Sequence, residues 1–192
     1  TGRSATPIGG WRLAARAPLP QHPDELTATW LSAALGAAGV SGSASIGGCD
    51  VEIIGEERGF TGVVARIRPQ YWATVDGAPV SLIGKFPLAE RAGASSYREL
   101  QLVDPNLARA YVERAAREVR FYLEAGHASA NIPRCYYGHV DPEAGEVVLL
   151  IEDLDFATPG DALSGCSVSK ARSVLAGIAA LHGRWWAHRE LP

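Results

Sequence analysis

Lys85 sits in the middle of SLIGKFP, residues 81–87, a short apolar run that reads as a buried strand. An ammonium group taken out of water needs a carboxylate, an anionic ligand, or a way for its long stem to return the charge to solvent. A carboxylate of the right kind follows 33 positions later. Glu118 falls at helical spacing among Tyr111, Ala115, Phe121 and Tyr122, on the apolar side of its segment, while Arg114, Arg117 and Arg120 fall more towards the other side. Two arrangements satisfy this pattern. Either Lys85 and Glu118 meet inside the protein, or Lys85 snorkels and Glu118 pairs with an arginine of its own helix.

Two further stretches have types and spacings suited to a ligand. GEERGFTG, residues 55–62, has glycines at positions that let a loop bring backbone N–H groups close to a phosphate, and the same spacing suits a plain hairpin turn. It is not a Walker A loop, because Gly84-Lys85 is followed by Phe86, and not a dinucleotide turn, because a strand-like segment follows it. VVLLIEDLD, residues 147–155, is an apolar strand running out into acidic residues, where backbone C=O and N–H groups become available to a flat heterocycle or to water. Asp153 and Asp155 have no third oxygen ligand at a spacing that suits a metal.

Other chemistries lack their residues. His182 and His188 do not form H-E-x-x-H, no G-x-S-x-G occurs, and Trp185-Trp186 reads as packing. The three cysteines, Cys49, Cys135 and Cys166, are far apart and read as buried thiols of a protein from a reducing cytoplasm. With 192 residues, 47% of them hydrophobic, and a net charge of −3 without a block of like charges, the chain reads as globular, with no nucleic-acid or membrane partner.

The elements that must hold these residues follow from pattern and punctuation. Residues 1–23 read as an irregular leader. Asp24 and Glu25 open a first helix with Leu26, Trp30, Leu31 and Leu35 on one side, closed by Gly36 or Gly39. Residues 39–48 read as a loop, and strands are expected at 51–56, 62–71 and 79–86, the last two joined at Asp76-Gly77. After a loop or short helix over 88–104, Asp104-Pro105 starts a helix to about residue 124, with Gly126 after it. Strands at 132–140 and 147–151 flank a turn at 141–145. Ser167 or Ser169 then caps a last helix to about His188, with Val174, Ile178, Leu181 and Trp185 on one side. The sequence begins at Thr1, contains no Met and ends in HRELP without a capping glycine, so a piece of a longer protein is expected.

Taken in order, LTATWLSAAL, GEERGFTGVVARIR, SLIGKFP, REVRFYLEAG, VVLLIEDL and AGIAALHGRWW resemble the N-terminal lobe of the aminoglycoside phosphotransferase and choline kinase superfamily. The likeness is strongest to its ecdysteroid-kinase-like branch and spans residues 24–188. It implies an α+β, protein-kinase-like lobe over 24–154. This would be a five-stranded antiparallel sheet with an N-terminal helix and one packed helix between strands three and four. Residues 155–192 would leave the hinge and begin a second lobe, the remainder of which packs on the last helix.

The resemblance also implies ATP and Mg2+ as cofactors and a hydroxyl of a small molecule as phosphate acceptor. Lys85 would contact the α- and β-phosphates and be held by Glu118; Gly59, Phe60, Thr61 and Gly62 would cover the phosphates; the Glu152 carbonyl and Leu154 amide would hold the adenine edge. The catalytic aspartate and the metal ligands of such enzymes follow the last helix, so these residues alone are expected to bind nucleotide without turnover. A non-catalytic nucleotide-binding module is the alternative. A protein kinase is disfavoured because G-x-G-x-x-G-x-V is absent and Ile-Gly precedes Lys85, and an unrelated α+β ligand-binding domain remains open.

Overall fold

A computed structural model describes residues 18–40, 42–54, 62–73, 75–86, 97–124, 132–158, 160 and 163–186. The chain folds as an α+β protein in which five antiparallel strands form one sheet in the order β1-β2-β3-β5-β4. These are β1 (Ile46–Ile54), β2 (Val63–Tyr71), β3 (Leu82–Phe86), β4 (Cys135–Asp141) and β5 (Glu146–Glu152). Helices α1 (Ala28–Ala37), α2 (Tyr97–Val103), α3 (Pro105–Glu124) and α4 (Val168–Trp185) complete the set.

The sheet is covered on both faces, and the alternation of side chains along its strands assigns each residue to one of two cores. Trp30, Leu31, Ala34 and Leu35 of α1 pack with Ala65, Ile67, Leu82, Phe86, Val148 and Leu150. Val112 and Val119 of α3 pack with Val147, Leu149 and Ile151, and Ile83 joins them. β5 therefore contributes to both cores, and Val147, Val148, Leu149, Leu150 and Ile151 are all buried.

Local chemistry sets the helix ends. Residues 23–25 form a 3-10 turn, so Asp24 does not cap α1; Thr27 does, its Oγ1 accepting a hydrogen bond from the Trp30 amide at 3.1 Å. Gly39, with φ of +72°, ends the helix, and the Val40 amide donates to the Leu35 carbonyl at 3.0 Å, satisfying a carbonyl of the last turn. For α3, Asp104 is the cap as expected: its Oδ1 accepts from the Leu107 amide at 2.9 Å. Ser167 caps α4 by accepting from the Lys170 amide at 3.2 Å. Gly126 and His188 lie outside the described residues.

Other expectations about the strands and helices change, among them the strand expected from residue 132, which starts at Cys135. β1 starts at Ile46 rather than after residue 50, because the glycine-rich stretch pairs with Tyr71 and Gln70, and the Trp72 indole lies where a Cβ on Gly47 would be, 2.3 Å away. β3 starts at Leu82, later than expected. Phe121 is on the open side of α3, 39% exposed and edge-on to Tyr122; the buried stripe is Ala108, Val112, Ala116 and Val119.

Of the cysteines, Cys49 and Cys135 are half-buried but Cys166 is exposed, contrary to expectation, and all three are free thiols. Burial pushes the Cys135 thiol up to about 11, which makes it a poor nucleophile at neutral pH. Among the described residues no helix is long and apolar enough to cross a membrane. On α4, Leu181 and Trp185 are half-buried, whereas Val174 and Ile178 stand exposed.

Leu150 is fully buried between α1 and the sheet. Leu150→Ala is expected to destabilise the fold by about 3 kcal/mol through lost transfer energy and a residual cavity, measured as a shift of the urea midpoint at unchanged m.

Candidate functional site

Lys85 lies next to the end of β3, with Val64 of β2 and Leu149 of β5 as its cross-strand partners. Leu82 and Phe86 point into the α1 core, so strand alternation turns Lys85, like Ile83, towards α3. There its Nζ donates to Oε1 of Glu118 in a hydrogen-bonded ion pair. Glu118 is delivered by the packing of its own helix, because Val119 beside it is buried against β5. The two arrangements left open by the sequence thus resolve to the inward one. The pair is not sealed, however: the side chains are 33% and 39% exposed and face an open cleft.

That cleft has a volume of about 980 Å3 and lies between α3 and the sheet, with Gly62, Val64 and Phe86 on one wall, Leu107 and Tyr111 on the other, and Val147 and Leu149 at its floor. Gly62 marks the point where the chain enters β2. A Cβ there would lie 2.5 Å from the Phe86 carbonyl oxygen, so the close approach of the two strands at the cleft wall requires glycine. Gly59, Phe60 and Thr61 lie outside the described residues.

Arg114 and Arg117 also line the cleft, which corrects their expected placement on the far side of α3; Arg114 is four residues, one turn, before Glu118 and so shares its face. Arg120 is exposed and does not line it. The two cleft carboxylates are both engaged, Glu118 by Lys85 and Glu113 by Arg109 at 2.8 Å. Among the described residues neither Arg114 nor Arg117 has an ion-pair partner, so the cleft has an excess of positive charge. A cleft of this kind suits an anion with several oxygens.

Glu152 and Leu154 lie at and just past the end of β5. Glu152 pairs with Leu82 while Leu149 pairs with Lys85, so the two positions are three residues apart along one strand pair, about 10 Å at the usual rise. The Glu152 side chain is turned away to β4, its Oε2 accepting from the Arg134 amide at 3.0 Å. The Leu154 carbonyl closes a turn by accepting from the Ala157 amide at 2.9 Å.

Between them stands a residue whose part the sequence did not disclose. Asp153, with a side chain only 3% exposed, accepts a forked pair of hydrogen bonds from Arg66 of β2, at 2.6 Å from Nε and 3.3 Å from Nη2, and a third from Ser81 Oγ at 2.7 Å. Desolvation raises the affinity of this carboxyl for a proton; the bonds from Arg66 and Ser81, together with the charges of Arg66 and Arg68, outweigh it and hold Asp153 below the usual carboxylate range. The same bond raises Arg66 above its ordinary value. Alternation places Arg66 on a strand face, but only the β2-β3-β5 register brings it to Asp153, and nothing local in the sequence signals that contact.

Among the described residues no three His, Cys, Asp or Glu side chains stand together as a metal site, and Asp153 is occupied by Arg66 and Ser81. Comparison with known protein families, with characterised proteins and with solved structures finds no match for this chain.

The Asp153 carboxyl has a lower pKa folded than unfolded, so the unfolded chain takes up its proton first as pH falls. Its contribution is fully present above the unfolded value of about 4 and is lost as pH drops through the lower folded value. Asp153→Asn is expected to cost about 2 kcal/mol at pH 7 and to flatten the loss of stability below pH 4, checked by urea unfolding across an acid pH series.

Proposed function

We propose that these residues form the nucleotide-binding part of an ATP-dependent phosphotransferase that acts on a hydroxyl group of a small molecule. The observation that carries this reading is the half-open Lys85–Glu118 pair in the wall of an electropositive cleft. A partly exposed ion pair of this kind contributes little to stability. This one faces space large enough for a ligand and can exchange part of its contact for a phosphate.

The architecture is consistent with a kinase-like N-terminal lobe: a five-stranded antiparallel sheet, a helix between β3 and β4 packed on the lysine-bearing face, and a second helix on the opposite face. In this reading ATP supplies the transferable phosphoryl group. Lys85 holds the α- and β-phosphates as a point charge, and Glu118 keeps its ammonium group directed at them. Gly62, which lines the cleft beside Lys85, lies near the phosphates. The Glu152 carbonyl, about 10 Å along the strand pair from Lys85, and the Leu154 amide just beyond it meet the adenine edge; an extended nucleoside phosphate covers a distance of this order. Mg2+ accompanies the nucleotide, but the described carboxylates do not fit a metal site, and no residue here is assigned its coordination or the role of catalytic base.

Lys85→Ala is expected to weaken Mg-ATP binding by roughly 30-fold in calorimetry, the loss of one charge-assisted contact. Because the pair is about one-third exposed, the same change is expected to alter folding stability by less than about 1 kcal/mol. Phosphoryl transfer from ATP to a panel of alcohols and aminoglycosides by the complete gene product would support the enzyme. Tight ATP binding without transfer would favour a non-catalytic nucleotide-binding module. Wild-type affinity for Mg-ATP in the Lys85→Ala protein would refute the placement of the phosphates.

A further inference from the structure

Resting on the nucleotide reading above, we propose that Asp153 is a positioning residue, clamped by Arg66 and Ser81 so that the Glu152–Leu154 backbone presents its peptide groups to a nucleobase in fixed orientation.

The segment is tied down on two sides by consecutive carboxylates. Glu152 is drawn towards β4: its Oε2 accepts from the Arg134 amide at 3.0 Å, and its own amide donates to the Arg134 carbonyl at 2.8 Å. Arg134 in turn reaches the Ala38 carbonyl at the end of α1, at 3.1 Å. Asp153 is drawn the opposite way across the sheet, to Arg66 on β2 and to Ser81 just before β3. Both side chains are thus committed to protein partners, and what the segment can offer a ligand is its backbone.

The form of the clamp favours orientation over bulk stability. A forked guanidinium–carboxylate pair with a hydroxyl as third donor leaves the carboxylate little freedom to rotate, and the carboxylate's Cα belongs to the segment being held. Apolar packing would stabilise this corner at least as well as a charge pair with one buried member. Moreover, the clamp is anchored on the two strands that bear the phosphate end of the cleft. Arg66 is two residues from Val64, the cross-strand partner of Lys85, and Ser81 is four residues before Lys85 on the same chain segment. The clamp therefore fixes the separation between groups that meet a base and groups that meet phosphates, which lowers the ordering cost of binding both.

The test separates the two ends of the nucleotide by using adenosine and inorganic tripolyphosphate as separate probes, titrated into the full chain by calorimetry. Asp153→Asn is expected to raise the Kd for adenosine by about tenfold and to leave that for tripolyphosphate within about twofold, while Lys85→Ala does the reverse. Ser81→Ala, which removes a single hydrogen bond, is expected to act in the direction of Asp153→Asn but less strongly, and it serves as the deciding variant if Asp153→Asn fails to fold by circular dichroism. Unchanged adenosine affinity in these variants, with both probes bound by the wild type, overturns the positioning role and leaves the nucleotide reading standing. An equal loss for both probes, in step with a lowered Tm, overturns it in favour of a general structural role. A wild-type chain that binds neither probe overturns the nucleotide reading, and the role of Asp153 falls with it.

Discussion

The burial of β5 on both faces constrains everything around it. A strand whose consecutive residues Val147 to Ile151 are all buried cannot tolerate a polar covering on either side, so it needs one apolar helix above and one below. Val148 and Leu150 take α1, and Val147, Leu149 and Ile151 take α3. Once α3 lies on Leu149 with Val112 and Val119 inward, its rotation about its axis is set, and Glu118 is carried to the edge of the contact that faces β3. The β3-β5 register sets Lys85 against Leu149, directly under that edge. The ion pair is a consequence of packing: the apolar contacts of α3 and β3 with β5 bring its two members together.

Two of the ion pairs, those of Arg66 and Lys85, divide charge in opposite ways. Arg66–Asp153 has a carboxylate bound by three donors and nearly inaccessible to a ligand. Lys85–Glu118 joins two partly exposed groups through a single contact among the described residues, and the ammonium keeps donors free for other oxygens. A closed pair fixes the scaffold and an open one meets the solvent; Arg66 and Lys85, on neighbouring strands, provide one of each.

Much of this was legible in the sequence because the signals were local. Asp104-Pro105 marks the start of α3, the Asp141–Gly145 turn separates β4 from β5, and the isolated charge of Lys85 inside an apolar run demands a partner that Glu118 supplies. What was not legible depended on contacts between distant segments. Gly47 and Gly48 have loop composition and become strand only because β2 pairs with them and Trp72 covers Gly47. Thr27 wins the cap of α1 from Asp24 because Pro23 starts a separate 3-10 turn. A stripe drawn through Phe121 hides the place of Arg114, which stands one turn before Glu118 and lines the cleft with it. Asp153 gave no local sign, since its partners come from two other strands.

Asp153 also explains why an acidic run at the end of a buried strand need not mean a metal or a solvated loop. In Glu152-Asp153-Leu154-Asp155 the first two carboxylates are taken by donors on opposite sides of the strand, one by a main-chain amide of Arg134 and the other by Arg66 and Ser81. Carboxylates used in this way act as fasteners for the backbone between them. A chain leaving a sheet normally gains freedom with each residue, because ladder hydrogen bonds cease. Here the loss of the ladder is offset by side-chain bonds to the very strands being left, so the order of β5 extends past its last ladder pair. The cleft at Lys85 and the bonds made by Asp153 thus stand towards opposite ends of the same strand pair.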